Sequence, residues 1–231
     1  MILLNILSAG AAQAVVKNVI ADFKRDTGND VAADYGAVGA MKAKALNGAA
    51  VDVIVLTDTM IDELIAAGFV APGRFDLGKV GTGVAVCAGV AKPDVSTADA
   101  LRTTLRAANV ITFPDPAVAT AGKIVMACLE KLGIAAEVQA RLKFFPNGNA
   151  AMNWMAAHGD AQTIGITQNT EILPLKGVSY VAPLPQAFQA KATYSAGCVA
   201  SGAHRAEAQD FVSRLTSPAA KPMLAAAGYE F

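Results

Sequence analysis

A short apolar run, a loop of small residues and an amphipathic stretch follow one another three times before Gly68, and this repeat constrains the fold most. Residues 2–7 are an apolar run that opens into a small-residue loop at 8–12. Val15, Val16, Val19, Ile20 and Phe23 then share one face of a helical period, with Lys17, Lys24 and Arg25 opposite. Gly28 and Asn29 supply the stop. The second round is a strand at 31–35, the loop 36–40 and a short helix ending near Asn47. The third is a strand at 51–56, almost continuously apolar as in a parallel strand covered on both faces, with Thr57 and Asp58 capping a helix to about Ala67. Right-handed crossovers turn three β-loop-α units into a doubly wound sheet.

The strand predicted at 80–88 does not lead at once into a helix, because Lys92, Pro93 and Asp94 interrupt it. A second β/α series follows, with strands at 110–113, 142–145 and 163–167 and helices from about Ala121 and after Asn149. Strands at 178–183 and 193–201 and two terminal helices close the chain. The expected architecture is α/β and two-lobed, with doubly wound mixed sheets. Lobe I is residues 1–82 with 192–231, and lobe II is 83–191. The ligand is expected in a cleft between the lobes, since open α/β sheets bind at the carboxyl ends of their strands.

Composition removes several classes. Nineteen basic residues balance nineteen acidic ones, with no basic run, so neither nucleic acid nor an anionic membrane is an expected partner. Hydrophobic residues make up 54% of the chain, yet charges, glycines and prolines break every apolar run well before the ~18 residues of a membrane span. Cys87, Cys128 and Cys198 show no metal-binding spacing, and no metal or cofactor is expected. No basic n-region or long apolar h-region marks a secretory leader. The compartment stays open: cytoplasmic as the chain stands, or periplasmic if a leader has been removed.

The candidate chemistry lies in the loops at the strand ends. Ser8, Gly10, Ala11, Val38, Gly39, Thr57, Thr120 and Ala121 leave backbone N–H groups at helix starts, where the dipole favours an anion. Asn147, Asn149, Gln168, Asn169 and Thr170 add amides and a hydroxyl, and Lys42 is the nearest cation. No GxSxG, HExxH, Walker or GxGxxG pattern occurs. His158 and His204 read as surface residues, and Ser195 has no histidine in sequence reach. Glu171 and Asp58 are the carboxylates at loop mouths and the candidate acid/base groups.

In order, the segments ILSAGAA, ADYGAVGAMKAKALNG, VDVIVLTD, FPDPAVATAGK, IGITQNTEIL and LTSPAAKPMLAAAGY resemble the molybdate-binding proteins of ABC transporters and their type II periplasmic-binding-protein relatives. The resemblance implies a solute-binding protein for a small anion, with a transporter permease as its partner. In the oxyanion-specific members, serines on the first two loops and a tyrosine on a later loop contact the tetrahedral anion. Those positions carry Ala11, Gly39 and Gln168 here. Hydrogen bonds worth ~1.5–3 kcal/mol each to a charged group are thereby lost, so a larger organic di- or tricarboxylate is expected. Aconitate isomerase is similar to the same family, which keeps open an enzyme that shifts a proton on an unsaturated tricarboxylate.

Overall fold

The opening apolar run forms strand β1 (Leu3–Ala9), whose burial deepens along its length until Ser8 is fully buried. The computed structural model describes residues 1–231. A single 3-10 turn (Gly10–Ala12) leads into helix α1 (Gln13–Thr27), which buries Val15, Val16, Val19 and Phe23. It stops at Gly28, where φ is 68°. That left-handed conformation costs an L side chain roughly 1–2 kcal/mol, which explains the glycine. Strand β2 (Asp30–Gly36), helix α2 (Val38–Leu46), strand β3 (Val53–Thr57) and helix α3 (Asp58–Ala66) complete the repeats.

Strand β4 (Phe75–Val80) has no counterpart in the sequence reading. Its FDLGKV run buries only Leu77 and Val80, so its period-2 signal is weak. The following series is β5 (Thr82–Cys87), α4 (Ala98–Ala107), β6 (Val110–Pro114) and α5 (Thr120–Lys131). A short α6 (Ala135–Val138), β7 (Leu142–Phe145) and α7 (Gly148–His158) come next. Strand β8 (Thr163–Gln168), a single-turn α8 (Asn169–Ile172) and β9 (Val178–Pro183) end it. The chain closes with β10 (Ala192–Cys198), α9 (Arg205–Thr216) and α10 (Lys221–Ala226).

The chain divides into two units, Met1–Val80 with Ala192–Phe231, and Gly81–Lys191. The first unit holds a five-stranded sheet in the order β2-β1-β3-β10-β4. There β1 pairs in parallel with β2 and β3, and β10 runs antiparallel to β3 and β4. The sheet of the second unit has the order β7-β6-β8-β5-β9, with β6 parallel to β7 and β8, and β5 antiparallel to β8 and β9. Both sheets are mixed and flanked by helices, the α/β plan that the repeat predicts.

In the first unit, Leu4, Ile6, Ile54, Leu56 and Leu77 are fully buried, and Phe23 meets Phe211 edge-on with ring centroids 5.6 Å apart. The sheet of the second unit is covered on both faces. Val84 and Val86 pack with Leu101, Leu105, Phe113 and Leu129, whereas Ala85 packs with Met152, Met155 and Ile172. That alternation along β5 is the strand period at work. No helix is long and apolar enough to cross a membrane.

Candidate functional site

Strand direction decides where the loop residues go. In the first unit the parallel strands β1, β2 and β3 deliver their carboxyl ends to one edge of the sheet. Ser8, Gly10 and Ala11, then Val38 and Gly39, then Thr57 and Asp58 therefore lie along that edge. Ala9 precedes the 3-10 turn, Ala37 precedes α2 and Thr57 precedes α3, and none of the three supplies a side-chain cap. Alanine in place of Ser, Asn or Asp at an N-cap forgoes about 1 kcal/mol. Sequence that gives up this stability leaves helix-start N–H groups without a side chain over them.

Side chains on this edge are largely engaged with the protein itself. The Ser8 hydroxyl is buried and donates to the Ala9 carbonyl at 3.1 Å. The Asp58 carboxylate accepts from the Thr59 N–H at 2.8 Å, and the Thr57 and Thr59 hydroxyls are 3.3 Å apart. Lys42 pairs with Glu63 on α3. The buried Tyr229 hydroxyl donates to the Ala11 carbonyl at 3.2 Å, tying the C-terminal segment to the first loop.

In the second unit the parallel strands β6, β7 and β8 likewise end on one edge. They bring Thr120 and Ala121, Asn147 and Asn149, and Gln168 to Glu171 to that edge. Antiparallel β5 starts there, with Thr82 opposite Gln168. Helix α5 follows Ala119, which again gives no side-chain cap. Helix α7 differs: Asn147 Oδ1 accepts from the Ala150 N–H at 2.8 Å.

Beside that cap lies Glu171, only 4% exposed. Thr167 Oγ1 donates to Glu171 Oε2 at 2.5 Å, and Asn149 Nδ2 donates to Oε1 at 3.4 Å. Backbone N–H groups of Gly148, Asn149 and Gln168 also favour the carboxylate form. Burial outweighs these bonds and pushes the Glu171 carboxyl up to about 7. A Cβ on Gly148 would stand 1.9 Å from Glu171 Oε2 and 2.1 Å from Thr167 Oγ1, so only glycine admits the carboxylate here.

Around Glu171 are buried polar atoms with no hydrogen-bond partner: Thr82 Oγ1, both amide atoms of Gln168, Asn169 Oδ1 and Thr170 Oγ1. An unsatisfied buried polar group costs ~1–3 kcal/mol, so each of these atoms is a place where a hydrogen bond from outside the chain would be stabilising. Thr82 escapes the sequence reading because it opens a strand inside the run VGTGV with nothing to distinguish it. Asp58 and Glu171, grouped as carboxylates from sequence, belong to different units. No group of three or more His, Cys, Asp or Glu is placed to hold a metal ion, and all three cysteines are free thiols. Burial pushes the Cys128 thiol up to about 12, which keeps it unreactive.

Two mixed α/β sheets with helices opening at strand ends are the fold of periplasmic binding proteins. The chain belongs to the bacterial extracellular solute-binding protein family, whose model matches residues 4–230. It is similar to aconitate isomerase from a Pseudomonas species, at 26% identity across 93% of this chain and 82% of the relative. Among solved structures it resembles the periplasmic molybdate-binding protein of Azotobacter vinelandii, with TM-score 0.80, 23% identity and 99% of each chain covered. It also resembles the sulfate-binding protein SubI of Mycobacterium tuberculosis, with TM-score 0.74 and 18% identity over 99% of this chain and 86% of that one.

Proposed function

We propose that this solute-binding protein takes a small organic polycarboxylate. The observation that carries the reading is the buried, unpartnered cluster of Thr82, Gln168, Asn169 and Thr170 beside a glutamate. Amides and hydroxyls spread over several residues suit a ligand with many oxygens more than a compact tetrahedral ion. Ala11 and Gly39, which lack the hydroxyls of oxyanion sites, support the same choice, as does a relative named for aconitate. A transporter permease is the partner this function implies.

Thermal unfolding with citrate, trans-aconitate, molybdate and sulfate tests the reading. A ligand at ~100 times its dissociation constant adds about 2.7 kcal/mol, a rise of roughly 5–10 °C for a chain of this size. The organic acids are expected to give that rise and the oxyanions none. The opposite pattern overturns the choice, and no shift at millimolar concentration from any of the four removes small-anion binding.

Glu171 favours a second reading, an isomerase of an unsaturated tricarboxylate. A carboxyl held near neutrality is poised to remove a proton from one carbon and return it to another. Incubation with trans-aconitate in deuterated water is then expected to form deuterium-labelled cis isomer, and Glu171→Gln to stop it. Unlabelled, unchanged trans-aconitate leaves binding as the function.

A further inference from the structure

We infer that Glu171 takes up a proton when an anion docks on the strand-end edge of the second unit, so that the ligand is bound together with a proton. The inference rests on the polycarboxylate reading. Its basis is where the Glu171 carboxylate lies. Oε2 occupies the space that a side chain on Gly148 would fill, directly at the start of α7, and it accepts from Thr167. Helix α7 is eleven residues long, and its N-terminal dipole favours one negative charge there. The protein supplies that charge from its own chain.

The neighbours offer no positive charge to hold a second anion beside it. From α7 the facing groups are Gly148 and Asn149, and His158 stands at the far end of that helix. From β8 they are Thr167 and Gln168, and from α8 itself Asn169 and Thr170. Strand β5 contributes Thr82 and Gly83, with Cys87 at its other end. Tyr180 on β9 and Asn169 on α8 both stand close to Gly83. Lys176, in the loop after α8, is exposed, and Glu171 makes no ion pair.

An incoming carboxylate on the Gln168–Thr170 amides and hydroxyls therefore meets a like charge in a buried setting. Two carboxylates in such a site do not both stay ionised, and one of them binds a proton. Glu171 is the one placed to do so, because burial has already raised it to about 7. The proton comes from solvent, and the neutral carboxyl then donates through one oxygen where the charged form could only accept.

Isothermal titration with trans-aconitate and with citrate at pH 8, in two buffers of different ionisation enthalpy, counts the protons. About one proton is expected to enter per ligand, and affinity is expected to fall about tenfold from pH 8 to pH 9. In Glu171→Gln the uptake and the pH slope are both expected to vanish from whatever binding remains. Infrared difference spectra of the unaltered protein give a check that needs no variant: a protonated-carboxyl band should grow on binding. Binding without proton uptake, or uptake that survives in Glu171→Gln, overturns the inference and leaves the polycarboxylate reading intact. No heat from either acid at pH 6 or pH 8 overturns that reading and this inference with it.

Discussion

Gly148→Ala is expected to lower stability by about 3 kcal/mol and the melting temperature by roughly 6–12 °C. The added methyl carbon would lie 1.9 Å from Glu171 Oε2 and 2.1 Å from Thr167 Oγ1, far inside contact distance. Neither atom can give way cheaply. Thr167 is fully buried in β8, and Glu171 is held by Thr167, Asn149 and the first N–H groups of α7. Moving the carboxylate breaks at least two hydrogen bonds to a group that is charged half the time at neutral pH, each worth ~1.5–3 kcal/mol. Leaving it in place overpacks the site at ~1–3 kcal/mol. Calorimetry on Gly148→Ala and on Gly148→Ala/Glu171→Ala separates the two: the double variant should recover part of the loss, since the clash with Glu171 is gone and only that with Thr167 Oγ1 remains. A single variant within 0.5 kcal/mol of the unaltered protein would show that the carboxylate does not occupy this space.

The contrast between Gly148 and its surroundings shows what sequence can carry. The β-loop-α repeats were legible because apolar residues such as Val15, Val19 and Phe23 recur at the helical period and 51–56 forms an unbroken apolar strand. Those signals are local, and local signals survive in one dimension. Strand β4 gave no such signal because it lies at the sheet edge and buries only Leu77 and Val80. The loops could be named as anion-binding candidates from their small residues. What sequence could not show is that Ala37 and Ala119 stand as N-caps without a side-chain bond while Asn147 caps its helix. Nor could it show that Glu171 turns back onto α7, because Gly148 and Glu171 come together only through the pairing of β6 with β7 and β8. Asn149 and Glu171 are 22 residues apart, and their contact exists only once the sheet has formed.

The burial of Glu171 also sets a stability profile with a definite sign. Its carboxyl ionises at about 4.5 when exposed and at about 7 in the fold, so between those values the folded chain holds a proton that the unfolded chain has released. Stability from this group is fully present below pH 4.5 and is lost as pH rises toward 7, at about 1.4 kcal/mol per unit, or about 3 kcal/mol in all. Asp34, Asp94 and Asp160 act in the opposite direction, because hydrogen bonds hold their carboxyls below the usual range and their stability is lost as pH falls. Comparison with Glu171→Gln cancels those contributions, since glutamine is neutral throughout and keeps the side chain's shape. Urea unfolding of both proteins at pH 4.5, 6, 7 and 8 is expected to show the unaltered protein losing about 3 kcal/mol relative to the variant up to pH 7, then levelling off. Parallel stability curves across this range would mean that Glu171 titrates alike in the folded and unfolded chains. The burial that argues for its part in binding would then have no electrostatic consequence.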